Sequence, residues 1–272
     1  MKYMYITNNP EMAVELQKIG VNIIWIDLEK NGKYERQKNI DSVKSNHTLD
    51  DIKKMSPFIK NSDLMVRINP IFENSKYEID KAIEYGADII MLPMFKTKEE
   101  IEIFFKFINN RCKTILLLET KEAVENLDEI LTIKNIENIH IGLNDLSLSC
   151  GYKFMFEGLA NGLVESICKK LHNRKITYGF GGIAQIGTGT LPAELILSEH
   201  IRLGSNQVIL SRSFSKIDFN CQKEEFIENF SLGINKLKEF EELYSSLSEE
   251  EYCIKHIELK NIVNKIIEKQ EK

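Results

Sequence analysis

Short apolar runs alternate with amphipathic stretches along most of the chain. The runs are rich in Ile, Val, Leu and Met and predict strands near residues 3–7, 22–28, 63–68, 87–92, 113–118, 137–142, 176–181 and 206–211. Most are apolar on both faces, as parallel strands covered by helices are. The stretches between and after them predict helices at 11–19, 48–59, 75–85, 97–110, 121–130, 155–173, 191–202 and 222–242.

The spacing of these elements predicts the fold class. Strand ends near residues 68, 92, 118 and 142 repeat about every 25 residues, the length of one strand, one helix and two short loops. Eight such units predict an α/β fold, a (β/α)8 TIM barrel with an extra C-terminal helical segment. A doubly wound open sheet is the rival, because the number of strands does not show closure.

The chain has no linker rich in Pro, Gly or Ser. We therefore expect a barrel catalytic domain over residues 1–245 and a helical tail over 246–272. Apolar side chains recur along the tail at helical spacing, at Ile254, Ile257, Ile262, Ile266 and Ile267. The tail packs either on its own barrel or on a neighbouring subunit.

The composition of the chain excludes several classes of binding partner and location. The chain has 36 Lys and Arg against 41 Asp and Glu, so no basic surplus exists to neutralise nucleic-acid phosphates. No apolar run approaches the roughly 18–20 residues of a membrane helix, and the N-terminus turns polar too early for a secretory signal. Five scattered cysteines without a CxxC pair fit a reducing cytoplasm. We expect a cytoplasmic protein that acts on a small molecule.

Charged and polar residues follow several predicted strands, at the rim where barrels place their chemistry: Asp27, Glu29, Arg67, Asn69, Glu119, Asn144, Asp145 and Arg212. Charges at the ends of apolar strands are costly unless they pair or bind an ion. For Arg67 two roles stay open. It forms an internal ion pair with Asp27 or Glu29, or it grips a substrate carboxylate or phosphate.

Glu119 and Asp145 follow neighbouring strands and lie 26 residues apart. Two carboxylates brought together repel each other, and a divalent cation offsets that repulsion. Oxygen ligands without His or Cys favour a hard ion, Mg²⁺ or Mn²⁺. The alternative is that both residues are helix N-caps or surface acids.

Two further segments allow a functional and an ordinary interpretation. The glycine-rich stretch 179–189 precedes a helix and either binds phosphate or simply makes glycine-dependent turns. The charged segment 31–39 either contacts a phosphate or second carboxylate of the substrate or is a solvated loop.

Five motifs in order, GVNIIWIDLE, VRINP, GADIIMLP, LLLET and IGLNDLS, resemble the HpcH/HpaI aldolase and citrate lyase β-subunit family over about residues 20–215. The resemblance implies a (β/α)8 barrel, a bound Mg²⁺ or Mn²⁺ and homo-oligomers that exchange C-terminal helices. It also implies carbon–carbon bond chemistry on pyruvate-like 2-oxo acids, with an aldehyde or acyl-CoA partner.

The family's site residues match positions of this sequence. Its metal ligands match Glu119 and Asp145, its carboxylate-binding arginine matches Arg67, and its acids after strand two match Asp27 and Glu29. The loop whose backbone N–H groups hold the oxo acid matches Gly142, Leu143, Asn144 and Asp145.

Two departures leave the proton-transfer group open. Lys30 stands where the family's pyruvate aldolases have a histidine, and Leu117 stands in place of a glutamine. The candidates are Glu29, a metal-bound hydroxide, or Lys30 if it is desolvated. The resemblance predicts a metal-dependent aldolase-type lyase that works through an enolate. The alternatives are a thioester hydrolase or phosphoenolpyruvate-using enzyme on the same site, or a non-catalytic metabolite-binding barrel.

Overall fold

The computed structural model describes residues 1–32, 45–211 and 214–270. Within them eight strands form a closed barrel in chain order, which confirms the barrel and excludes the open sheet. The strands are β1 Lys2–Ile6, β2 Ile23–Asp27, β3 Asp63–Arg67, β4 Ile89–Leu92, β5 Lys113–Leu118, β6 Asn138–Ile141, β7 Thr177–Ile183 and β8 Gln207–Leu210.

Helices follow the strands. In the described residues they are α1 Pro10–Ile19, α2 Leu49–Met55, α3 Ser75–Glu84, α4 Lys98–Ile108, α5 Lys121–Glu125, α6 Leu127–Ile130, α7 Leu143–Ser149, α8 Glu157–Ala160, α9 Leu163–Asn173, α10 Ala193–Arg202, α11 Lys223–Ser245 and α12 Glu249–Gln270. A 3₁₀ turn, Ser56–Phe58, follows α2. None of these helices combines the length and apolarity needed to cross a membrane.

The predicted helices differ from the observed ones in four places. The helix expected over 121–130 is divided at Asn126 into α5 and α6. The helix expected over 48–59 gives way at Ser56 to the 3₁₀ turn, which contains Pro57, and proline removes a donor from the helical ladder. The helix expected over 155–173 is interrupted at Gly162, which has a φ of +85°. The short helix α7 was not predicted, because Asn, Asp and two Ser among its seven residues give a weak helical pattern.

The chain divides into two compact units. The first, Met4–His140, carries the paired ends of β2 and β3. Their parallel register runs from Ile23 opposite Asp63 to Asp27 opposite Arg67. Ile24, Ile26, Leu64 and Val66 are completely buried along this pair, and burying each such side chain contributes about 1.5–3 kcal/mol. The apolar ladder therefore fixes the position of the charged pair at its end.

The second unit joins Met1–Tyr3 to Ile141–Lys272. In it α12 packs on α10, with Leu259 and Val263 completely buried. The Tyr252 hydroxyl donates to the Tyr244 carbonyl at 2.6 Å. The tail is therefore a helix with contacts inside its own chain, while the division into domains at residue 245 stays a prediction.

Candidate active site

A buried ion pair joins the ends of β2 and β3. Arg67 donates from Nε to Asp27 Oδ1 and from Nη2 to Asp27 Oδ2, both at 2.8 Å. Asp27 has no exposed surface and Arg67 is 7% exposed. Two parallel charge-assisted hydrogen bonds fix the orientation of both groups. The guanidinium plane is therefore held in one position.

A second carboxylate and an aromatic ring surround Arg67. Glu29 Oε2 lies 3.3 Å from Nη2, and the guanidinium carbon lies 4.9 Å from the centre of the Trp25 ring. Burial on its own lowers the pKa of Arg67, but Asp27, Glu29 and Glu119 together raise it above its ordinary value. Arg67 is therefore a permanent cation in a mainly acidic cluster.

The contacts of Arg67 use only part of its guanidinium group. Within the described residues, the hydrogen bonds and ion pairs of Arg67 all use Nε and Nη2. Of the two roles left open by the sequence, the internal ion pair is present. The N–H groups of Nη1 keep the geometry needed to donate to a ligand carboxylate or phosphate.

Glu119 is held at the junction of β5 and α5. It is 2% exposed, and its Oε1 accepts a hydrogen bond from the backbone N–H of Met94 at 3.1 Å. Met94 has a φ of 55°, a conformation that non-glycine residues rarely adopt. The N-cap of α5 is Thr120, whose Oγ1 accepts from the Ala123 N–H. Glu119 is therefore neither a surface acid nor a helix cap.

The segment 142–145 begins α7 in the second unit. Gly142 is the N-cap, and Asp145 lies in the first turn with a partly exposed side chain. The expectation of a loop over these four residues is therefore wrong from Leu143 onward. Gly181, with a φ of +51°, packs so closely that an added Cβ would lie 2.6 Å from Leu143 Cδ1. This close approach fixes where α7 starts.

Comparison with known proteins places the chain in a family. The family described as HpcH/HpaI aldolase/citrate lyase matches residues 3–160, which is more than half of the chain. The chain belongs to this family. The matched region contains the ion pair, Glu119 and Asp145.

Individual relatives of known name are more distant. A 2-keto-3-deoxy-L-rhamnonate aldolase of Escherichia coli O9:H4 (strain HS) is 29% identical over 115 aligned positions, covering 31% of this chain and 43% of the relative. The chain thus spans less than half the length of the curated relative that it matches.

Solved structures of HpcH/HpaI proteins share the fold. An HpcH/HpaI aldolase from Desulfitobacterium hafniense DCB-2 superposes with a TM-score of 0.61 at 14% identity, covering 85% of this chain and 92% of that one. A family protein from Burkholderia cenocepacia J2315 gives 0.59 at 13% identity, with 84% and 93% covered. Identities this low support the fold alone.

The donor chemistry of this HpcH/HpaI chain suits a hard cation. In the described residues no three His, Cys, Asp or Glu side chains are grouped so as to hold a metal ion. Mg²⁺ commonly binds one or two carboxylates and takes its other ligands from water and substrate. Glu119, buried and oriented by a backbone N–H, is a donor of that type. The assignment of Glu119 and Asp145 as metal ligands stays a prediction.

Lys30 does not meet the condition set for it as a base. Its side chain is exposed, so the desolvation which that role requires is absent. What engages Lys30 is its backbone N–H, which donates to Asn69 Oδ1 at 2.8 Å. Arg212 and most of segment 31–39 lie outside the described residues.

His47 is a site residue that the sequence reasoning missed. It is 8% exposed, and its Nδ1 accepts a hydrogen bond from the backbone N–H of Asp27 at 3.0 Å. That bond requires Nδ1 to be unprotonated, so the ring proton of the neutral form is on Nε2. The capping box of Thr48 and Asp51 at the start of α2 was a readable sign that His47 is held at a helix entrance.

The glycine-rich stretch forms its contacts within its own chain. Residues 179–183 belong to β7, and the backbone N–H of Gly187 donates to Glu194 Oε1 at 2.7 Å. A carboxylate thus accepts from the loop where a phosphate was considered. This contact agrees with the ordinary interpretation of the stretch.

Proposed function

We propose that this HpcH/HpaI protein is an aldolase-type lyase that forms or cleaves a carbon–carbon bond next to a pyruvate-like 2-oxo acid. The observation that carries the proposal is the buried Arg67, which Asp27 holds rigidly while Nη1 faces no acceptor among the described residues. A substrate carboxylate bound there would be fixed by a group that is already in position before the substrate arrives.

The charge of the cluster supports the choice of cofactor. Asp27, Glu29 and Glu119 are three buried carboxylates and Arg67 is the cation among them. We assign Glu119 and Asp145 as ligands of Mg²⁺ or Mn²⁺. When bound, such an ion acts as a Lewis acid toward the negative charge that develops as an enolate forms.

Proton transfer involves two candidate side chains, one as the base and one as a hydrogen-bond donor. Glu29 is almost fully buried beside Arg67, and the ring of His47 is fixed by the Asp27 N–H with its proton on Nε2. A general base must first lie within hydrogen-bonding reach of the proton that it removes, and a suitable pKa is the second requirement. We propose that Glu29 takes the proton of the substrate hydroxyl during cleavage and passes it to the enolate, so that in the reverse direction it removes a methyl proton of pyruvate. The lone pair of neutral His47 is on Nδ1 and accepts the Asp27 N–H, so His47 acts as a hydrogen-bond donor from Nε2. The exposed Lys30 is the weaker candidate.

The backbone at Gly142, Leu143, Asn144 and Asp145 supplies further binding groups. These residues form the N-cap and first turn of α7, the end at which a helix presents its backbone N–H groups to an anion. We propose that they bind the oxo acid. The carbon partner is an aldehyde or an acyl-CoA, and a 2-keto-3-deoxy sugar acid is the first product class to test.

Assembly and location form part of the same proposal. Ile254 and Ile257 lie one turn apart on α12 and are 59% and 52% exposed, which favours a homo-oligomer. We also propose a cytoplasmic location, which is supported by five scattered cysteines without a CxxC pair.

The test is deuterium exchange into the methyl group of pyruvate, followed by NMR with Mg²⁺ or Mn²⁺. We expect wild-type exchange that chelation abolishes and metal restores, and a loss of about a hundredfold or more in Glu119→Ala and Asp145→Ala. Glu122→Ala is the control, because this exposed acid pairs with Lys96 near Glu119 in the chain. Absence of exchange with every metal would overturn the pyruvate chemistry and favour a thioester or phosphoenolpyruvate substrate.

A further inference from the structure

Glu78 on α3 is a buried carboxylate whose two oxygens both accept hydrogen bonds from one residue, Asn69. It is 9% exposed, its Oε2 accepts from the backbone N–H of Asn69 at 2.9 Å, and its Oε1 accepts from Asn69 Nδ2 at 2.6 Å. In the described chain no Lys, Arg or His pairs with it. Burial raises the pKa of Glu78, and the two hydrogen bonds from Asn69 oppose that rise. A carboxylate buried without a cation is costly, so packing alone does not account for it.

Asn69 connects Glu78 to the backbone that follows β2. Because Nδ2 donates to Glu78, Oδ1 points the other way, and it accepts from the N–H groups of Lys30 at 2.8 Å and Asn31 at 3.0 Å. Four hydrogen bonds thus run in a fixed donor and acceptor order from α3 to the turn at residues 30–31. We call this chain of contacts the Glu78 relay.

The relay connects two parts of the site. The turn that it fixes directly follows Glu29, whose carboxylate lies 3.3 Å from Arg67 Nη2. Asn69 itself is two residues beyond Arg67. The relay therefore ties the backbone beside Glu29 to the backbone beside Arg67, outside the strand ladder that ends at Asp27 and Arg67.

We propose that Glu78 is a positioning residue: acting through Asn69, it sets the turn at Lys30 and Asn31 and thereby the carboxylate of Glu29 beside Arg67. The catalytic part of this inference rests on the proposed function. When the relay is broken, Arg67 still has both hydrogen bonds to Asp27. We therefore expect a smaller effect on substrate binding than on the position of the reacting groups. The KM for pyruvate therefore stays within about threefold when the relay is broken, while kcat for methyl exchange falls about tenfold to a hundredfold.

Three variants test the order of donors and acceptors. In Glu78→Gln the new amide nitrogen faces a donor of Asn69 whichever way the amide is turned. In Asn69→Asp an oxygen of the new carboxylate faces Glu78. The double variant Asn69→Asp with Glu78→Gln satisfies all four bonds again, because the glutamine amide donates to the new aspartate and its oxygen accepts the backbone N–H. Glu84→Gln, an exposed position on the same helix that pairs with Lys81, is the matched control.

Two readouts are taken on the full chain for each variant. One is kcat and KM for metal-dependent methyl exchange, and the other is hydrogen–deuterium exchange of the backbone amides of residues 30 and 31. We expect both single variants to lose kcat and amide protection, and the double variant to recover each to within about threefold of wild type. Recovery by a second substitution is not expected if Glu78 merely fills space.

The outcomes separate this inference from the proposed function. If the wild type catalyses no methyl exchange, the proposed function has failed and amide protection alone decides on the relay. A double variant with protection and kcat no better than the single variants overturns the relay, as do single variants with wild-type kcat and protection. If a single variant does not fold, the double variant is compared with the wild type directly, and less than a tenth of wild-type kcat overturns the inference.

Discussion

His47 has a structural contact at Nδ1 and a proposed chemical role at Nε2. Its Nδ1 accepts the N–H of Asp27, the residue that holds Arg67. Replacing His47 by Ala leaves a buried backbone donor without that acceptor, which costs about 1–3 kcal/mol. Asn is the matched variant, because its side-chain oxygen can take the place of Nδ1 while nothing replaces Nε2.

We therefore expect different results from the two substitutions. His47→Ala lowers the free energy of unfolding by about 1–3 kcal/mol in urea titrations, while His47→Asn stays closer to the wild type. If the Nε2–H group donates a hydrogen bond to the reacting substrate, both variants lose methyl exchange. Exchange that survives in His47→Asn would instead leave His47 a structural role.

The strands were more predictable than the contacts between them. No observed strand boundary lies more than two residues from its predicted position, because apolar runs and strand boundaries have the same cause, burial on both faces. An ion pair of Arg67 with Asp27 or Glu29 was one of the two alternatives that the sequence left open, because neighbouring parallel strands of a barrel bring their ends together.

What the sequence did not predict depends on tertiary contacts. Asn69 meets Lys30 and Glu78 across 39 and 9 residues, and nothing in the local pattern of any of the three indicates the relay. His47 likewise reaches Asp27 across 20 residues. Helix α7 is stabilised where Leu143 packs against Gly181, a contact that a single-sequence helical pattern does not contain.

Helices α9, α10 and α12 are joined by a charged cluster. Arg202 donates from Nη2 to Glu199 at 2.7 Å and to Glu165 at 2.9 Å, and His256 Nδ1 lies 3.1 Å from Glu199. A hydrogen bond from Lys169 is the main cause that lowers the pKa of Glu165 to about 2, with Arg202 adding to it against the effect of burial.

This cluster predicts a pH-dependent stability. A carboxylate whose pKa is lower in the folded state binds more protons when unfolded, so it stabilises the fold above its ordinary pKa and loses that contribution as the pH falls. The window for Glu165 runs from about 4.5 down to about 2. We expect the Tm of the wild type to exceed that of Glu165→Gln at pH 6, and the gap to close toward pH 2.

Thermal unfolding followed by circular dichroism at several pH values measures this gap. Glu137→Gln is the control, an exposed glutamate of the first unit that makes no ion pair among the described residues. A Tm difference between wild type and Glu165→Gln that stays constant from pH 6 to pH 2 would contradict the assignment.

The surface of α12 leads to a prediction about assembly. One side of this helix is used inside the chain, where Leu259 and Val263 are completely buried, while Ile254 and Ile257 are more than half exposed. A two-fold interface uses the same patch on both copies, so two isoleucines per chain become four in a dimer. At about 1.5–3 kcal/mol for each buried side chain, such a patch contributes substantially to association.

We expect the wild type to have a mass that is a multiple of 31.5 kDa by light scattering on a sizing column, and the variant Ile254→Glu with Ile257→Glu to shift toward 31.5 kDa. Two buried carboxylates per chain would have to be desolvated without partners for the assembly to persist. Ile103→Glu, an exposed isoleucine on α4, is the control and should keep the wild-type mass. A monomeric wild type, or an assembly unaffected by the double substitution, would show that this face of α12 holds no second copy.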